Sequence, residues 1–203
     1  MSLQAEAAVW TVTDGGDNNG PNTFTLRDVI NNHAQAGDTI TFDSNLPAKI
    51  TLTLGELVIN KDLSILGPGA TKLSVVGVNQ RVFHLTQNMT ITVKISGLQL
   101  SGSVSGASGA NGPSGADGDY AGGGCILTGL DNALMMTNCY LAGCKAIGGA
   151  GGDAVNNPNG VMGHGGSGGQ AQGGAIESHG KLILHGCSFF KNSAVGGQGG
   201  KGH

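Results

Sequence analysis

The chain reads as an all-β repeat protein, and three observations carry that reading. Two look-alike segments, Gly123-Gly124-Cys125-Ile126 through Cys139-Tyr140-Leu141 and Gly173-Gly174-Ala175-Ile176 through Cys187-Ser188-Phe189, each run on into another glycine pair. Apolar-x-apolar triplets also recur, each followed after one spacer by Gly or Asn: Leu63-Ser64-Ile65, Val93-Lys94-Ile95, Leu134-Met135-Met136 and Leu182-Ile183-Leu184. That alternation is the strand period, and Gly and Asn enter left-handed backbone most readily, so a tight turn fits after each strand. Thirdly, with Phe42, Ile65, Ile95, Met136 and Leu184 taken as equivalent, the steps are 23, 30, 41 and 48 residues; setting aside the glycine-rich stretches 102–121 and 148–172 reduces the last two to 21 and 23.

A unit of about 22 residues with two or three short strands and no helix excludes a doubly wound sheet, whose crossover alone needs about a dozen residues. A parallel β-helix, or solenoid, fits. Each turn of chain lies on the previous one at the strand spacing of about 4.8 Å, and like residues form ladders. Met136 then neighbours Leu184, and Cys139 neighbours Cys187.

Such a stack grows by adding coils, so 203 residues are read as one continuous core: a cap and first coil over residues 4–62, then coils over 63–203. Thirty-nine glycines with 11% charged residues would suggest disorder if spread evenly, but the strand segments stay rich in Ile, Leu and Val.

At the amino end, Phe24-Thr25-Leu26-Arg27-Asp28-Val29-Ile30 predicts a short capping helix. Thr25 stands as N-cap, Asp28 in capping-box position and Phe24 as a staple on Val29, with Gly37 as the stop. Leu26, Val29, Ile30 and His33 share one face, an apolar stripe suited to covering the open end of the first coil.

The insertions carry glycine at period three: Gly106, Gly109, Gly112, Gly115 and Gly118 in the first, Gly148-Gly149, Gly151-Gly152, Gly165-Gly166 and Gly168-Gly169 in the second. A third begins at Gly196-Gly197 and Gly199-Gly200. All leave their coil at one equivalent corner and therefore lie side by side. Two readings stand: glycine-lined extended segments of polyproline II type packed on the flank, or ordinary flexible loops. Collagen is excluded by the single proline and few triplets of the first insertion.

The runs Thr25–Ile30, Ala36-Gly37-Asp38-Thr39-Ile40-Thr41-Phe42, Ile65-Leu66-Gly67-Pro68-Gly69-Ala70 and Ile95-Ser96-Gly97-Leu98 resemble secreted right-handed β-helix proteins whose amino end carries an "SLREAI…AGDTI.F" signature. Gly173-Gly174-Ala175-Ile176 with Phe189-Phe190-Lys191-Asn192 is similar to the paired GGA(I/L/V) and FxxN motifs of polymorphic outer-membrane-protein repeats, which are autotransporter passengers and adhesins of Gram-negative bacteria. The earlier repeat departs from that pattern, with Cys125 for the Ala and with Leu141 and Cys144 for the Phe and Asn. The resemblance implies a right-handed helix, an extracellular or cell-surface location, and an adhesin or passenger role with a host-cell, glycan or other surface ligand. Fold does not fix function, and Gly123, Gly124, Gly173, Gly174, Ala175, Ile176, Phe189 and Asn192 also suit a tight coil as architecture alone.

Other chemistries find little purchase. Gly148 to Asn156 satisfies the calcium nonapeptide pattern with Asp153 as ligand, but that pattern works through tandem copies and here stands once, leaving Asp153 a weak candidate for Ca2+. The four cysteines, Cys125, Cys139, Cys144 and Cys187, form no CxxC and no zinc spacing; secretion would permit disulfides in any of three pairings, whereas free thiols are the preferred reading, with the ladder argument making Cys139 and Cys187 small buried hydrophobes rather than partners. Asp131, Glu177, Lys181 and Lys191 are too few and mismatched in ladder position for a lyase or hydrolase site, and Glu56, Asp62 and Arg81 read as solvated turn charges. A net charge of −3 with scattered basic residues argues against nucleic acid, and no apolar stretch reaches membrane-spanning length. Met1–Leu3 read as a start joined to a mature exported chain, and the end inside the third insertion predicts the amino-terminal part of a longer protein. A non-catalytic surface module is the expectation; a polysaccharide-active β-helix enzyme is the alternative.

Overall fold

The computed structural model describes residues 6–155 and 162–202. Met1–Ala5, with the joined start, and Asn156, the last position of the nonapeptide, lie outside them.

The chain is mostly β, and its sheets are parallel. One sheet stacks Val9–Val12, Thr39–Phe42, Leu63–Leu66, Thr92–Ser96, Ala133–Thr137 and Lys181–His185. A second stacks Lys49–Leu52, Ser74–Gly77, Gln99–Ser101, Tyr140–Ala142 and Ser188–Phe190; a third stacks Leu57–Ile59, Phe83–Leu85, Ile126–Thr128 and Ile176–Ser178. The chain visits the sheets in turn and returns to each one coil later, as a repeat fold requires. Met136 pairs with both Ile95 and Leu184, and Ile95 with Ile65.

Alternation decides which side chains meet inside. Ile40, Ile65, Val93, Ile95, Leu134 and Met136 from the first sheet are buried with Ile50, Leu100 and Leu141 from the second and Leu57, Phe83 and Ile126 from the third. Burial of each aliphatic side chain contributes roughly 1.5–3 kcal/mol. In the coil of Lys181–Phe190, Leu184 and Phe189 are 41% and 47% exposed, with no further strand stacked on them among the described residues.

Three expectations are corrected. Ile40, not Phe42, lies beside Ile65; Phe42 pairs with Val12. The stack starts one strand earlier than the triplets suggest, because Val9–Val12 precedes the helix, and its Val-Trp-Thr-Val pattern lacks the Gly or Asn turn that marks the later coils. Cys125 and Cys144 are not free thiols but a disulfide, their Cα atoms 5.4 Å apart, whereas Cys139 and Cys187 are free.

The helix is a single α-turn, Leu26–Asp28, running into a π-turn, Val29–His33, so it ends before Gly37. Thr25 Oγ1 accepts from Asp28 N at 3.1 Å, and Asp28 Oδ2 accepts from Phe24 N at 2.8 Å, one residue earlier than a regular capping box. Leu26, Val29 and Ile30 are fully buried beside Val12, while His33 stacks on Phe24 with centroids 4.9 Å apart. Lys61 Nζ donates to the Ile30 and Ala34 carbonyls, both at 2.9 Å, satisfying the helix end.

Asp38 ties this end together. Its carboxylate accepts from Ala8 N, Gln35 N and Trp10 Nε1 at 2.7, 2.8 and 2.9 Å, joining the first strand to the helix exit. Burial acts to raise its pKa, but these three bonds outweigh that effect and hold the carboxyl below its ordinary range.

Candidate functional site

The coil stack needs no glycine-rich insertions, so the surface they build is the first place to look for function. A small parallel sheet, Ser103–Ser105, Lys145–Ile147 and Ser193–Val195, launches three outgoing segments, 106–112, 147–155 and 195–202. Two segments, 113–121 and 162–171, return toward the coil.

Hydrogen bonds between these segments recur every third residue. Gly106, Gly109 and Gly112 donate to Ile147, Ala150 and Asp153; Gly148, Gly151 and Ala154 donate to Val195, Gln198 and Lys201. In the returning layer Gly115, Gly118 and Ala121 donate to His164, Ser167 and Gln170. Antiparallel bonds join the layers, among them Gly152 N to Ala116 O, and Gly166 N to Gly152 O, both 2.8 Å. The described parts therefore form a packed two-layer flank with the three-residue period of polyproline II, rather than loose loops.

Glycine is required because the layers approach too closely for a side chain. A Cβ on Gly109 or Gly166 would lie 1.9 Å from Ala116 O, and one on Gly149 1.8 Å from Ala107 O. One row of each segment lies on the outer face: Ser105, Ser108 and Asn111 on the first, Ile147, Ala150 and Asp153 on the second, Val195, Gln198 and Lys201 on the third. The returning layer presents Ser114 and Asp117 beside His164, Ser167 and Gln170.

Asp153 has a backbone role within this face. Asp153 N donates to Asn111 Oδ1, and Asp153 Oδ1 accepts from Lys201 N, both at 2.8 Å, so the three outgoing segments are stapled in series. Among the described residues no group of three or more His, Cys, Asp or Glu converges as a metal cluster.

The motif residues lie where the flank meets the coil. Gly123 and Gly173 have φ of +63° and +57°, and a Cβ on Gly124 or Gly174 would come within 2.5 Å of Lys145 N or the Ser193 carbonyl carbon. The outgoing and returning chains pass each other there. Ala175 sits beside Cys125, with Cys125 N donating to Ala175 O at 2.9 Å, and Ile176 pairs with Ile126. Phe189 pairs with Leu141. Asn192 Oδ1 accepts from Cys144 N at 2.8 Å and its Nδ2 donates to Leu141 O at 2.9 Å. The disulfide thus occupies the Ala and Asn positions of the motif, one coil earlier.

Polar side chains cluster at the same root. Arg81 donates through Nη2 to Gly122 O at 2.9 Å and through Nη1 to Glu56 Oε2 at 2.8 Å, while His84 Nδ1 lies 2.7 Å from Glu56 Oε1. Glu56 and Arg81 are therefore partly buried partners rather than solvated turn charges. Burial acts to raise the Glu56 pKa, but the His84 bond and the Arg81 charge prevail and lower it. Above them the half-exposed Tyr120 donates its hydroxyl to Glu177 Oε1, and His179 Nε2 lies 3.0 Å from the same oxygen. Desolvation, then the bond to Glu177, pushes the Tyr120 phenol well above its ordinary value, which keeps it a donor. Glu177 is buried, and its Oε2 fits only because residue 122 is glycine: a Cβ there would lie 1.6 Å away.

The other residues weighed for catalysis do not join Glu177 in a buried site. Asp131 is exposed in a turn, Lys181 begins a strand of the first sheet, and Lys191 occupies a left-handed turn with Nζ 5.0 Å from the Phe190 ring centroid.

A shallow groove of about 390 Å3 runs along the corner between the first and second sheets, lined by Thr71, Gln99, Asn138, Tyr140 and Ser188 from successive coils. Among the described residues no helix is long and apolar enough to cross a membrane. No family model, curated protein or solved structure that was compared with the chain matches it.

Proposed function

We propose that the chain is a right-handed parallel β-helix working as a secreted or cell-surface binding or structural module of the adhesin or passenger kind, with no catalysis of its own. The observation that carries this reading is the flank. Its glycines are spent on mutual packing, and its side chains form ordered outward rows of Ser108, Asn111, Gln198 and Lys201 on one side and Asp117, Ser167 and Gln170 on the other. An ordered face binds without the entropy cost of fixing a mobile loop. The resemblance of Gly173–Ile176 and Phe189–Asn192 to polymorphic outer-membrane-protein repeats supports a place on the surface of a Gram-negative bacterium.

A polysaccharide-active enzyme is the second reading, favoured by one observation: Glu177 is a buried carboxylate contacted by Tyr120 and His179. Screening the purified chain against arrayed glycans and host-cell surface proteins, beside a polysaccharide lyase and hydrolase assay, separates the two. Saturable binding that weakens when Ser108, Asn111 and Gln198 are replaced by Ala, with no cleavage, is expected. Cleavage abolished by Glu177→Gln overturns the module reading.

A further inference from the structure

We propose that Cys139 and Cys187 are a dithiol that closes into a second, reversible disulfide, cross-linking the last two coils. Both cysteines follow the same turn. Asn138 and Gly186 take left-handed backbone at φ +52° and +60°, and the flanking pairs Thr137 with His185 and Tyr140 with Ser188 are in register. Ser188 N donates to Cys139 O at 2.9 Å, closing the ladder at the cysteines themselves. Each thiol contacts the carbonyl two residues back, Cys139 Sγ on Thr137 O at 3.4 Å and Cys187 Sγ on His185 O at 3.6 Å, so both side chains leave the backbone in the same direction. Parallel neighbours stand about 4.8 Å apart, inside the roughly 4.4–6.8 Å window of Cα separations that a disulfide spans. Closure requires rotation about the Cα–Cβ bonds and a small approach of the two Cβ atoms to the roughly 3.5–4.5 Å that a disulfide spans.

The two thiols divide the work by exposure. Cys139 is buried, and desolvation raises its pKa, whereas Cys187 is only partly buried. Attack therefore starts at Cys187. Its thiolate displaces one thiolate from a small-molecule disulfide such as oxidised glutathione, leaving a mixed disulfide at Cys187. Cys139, deprotonated, then attacks the Cys187 sulfur and expels the second thiol. Two protein thiols are oxidised, one small disulfide is reduced to two thiols, and their protons pass to the leaving thiolates. The new bond locks the coil of Cys187 to that of Cys139, enclosing the second insertion in a covalent loop.

The test equilibrates the intact chain with oxidised glutathione, quenches it with an alkylating reagent under denaturing conditions, and maps cysteine peptides by mass spectrometry. The expected result is a Cys139–Cys187 cross-link with both thiols protected, alongside Cys125–Cys144, and its loss on adding dithiothreitol. Cys139→Ser should halt at glutathione on Cys187. Wild-type protein that likewise halts there, with Cys139 still alkylated, overturns the proposal, as does a chain in which both cysteines remain alkylated; neither readout requires the variant to fold.

Discussion

Asn192 in the last coil holds the Cys144 backbone N–H with its side-chain oxygen at 2.8 Å, and Cys144 in turn is bonded to Cys125 across its own coil. One position of the repeat thus uses an amide that reaches the preceding chain turn beneath it, and a covalent bond one coil earlier.

This relationship predicts how the disulfide is replaced. Cys125→Ala with Cys144→Ala removes a cross-link of sequence separation 19, which should lower stability by about 3 kcal/mol. Cys125→Ala with Cys144→Asn restores the motif of the later repeat, placing an amide within reach of Gly102 N and Leu100 O, and should recover about 1 kcal/mol. Equal urea midpoints for the two double variants would refute that reading.

Core substitutions should grade along the stack. Ile95→Ala, in a fully enclosed coil, is expected to cost about 2–5 kcal/mol, whereas Leu184→Ala in the exposed last coil should cost under about 1.5 kcal/mol. Chemical denaturation with both variants measures the contrast; similar losses would mean that the last coil is covered in solution.

Glycines in the flank divide sharply by position. Gly166→Ala puts a Cβ 1.9 Å from Ala116 O and should destabilise the flank by about 1–3 kcal/mol, while Gly199→Ala, with its nearest atom at 3.7 Å, should be tolerated. Amide hydrogen exchange at Gly149, Gly152 and Gly169 reads the effect locally, and unchanged protection in Gly166→Ala would show that the layers are not packed.

Acid should loosen the amino end first. In Asp17, Asp28 and Asp38 burial acts upward, but hydrogen bonds outweigh it, and all three carboxyls are held below their ordinary 3.8. A carboxyl depressed on folding contributes stability that is complete above the unfolded value of about 4 and is lost as pH falls through the folded value. The urea midpoint should therefore drop below about pH 4, with a shallower drop for Asp38→Asn. A wild-type midpoint constant from pH 5 to 3 would contradict this assignment.

The sequence by itself determined the strand triplets, the parallel stacking of Met136 on Leu184, the helix over Leu26–Ile30 and the side-by-side exit of the three insertions. Each of these follows from local period and spacing, which adjacent residues dictate. The two departures at Cys125 and Cys144 were visible as well, yet that they answer one another was not, because pairing depends on distance across a coil. The pairing of Glu56 with Arg81 and His84, of Glu177 with Tyr120, and the role of Asp153 as a staple between segments arise from contacts 25 to 57 residues apart. Only the closed coil brings such groups within hydrogen-bond reach, and only the approach of neighbouring backbones decides which glycines are indispensable.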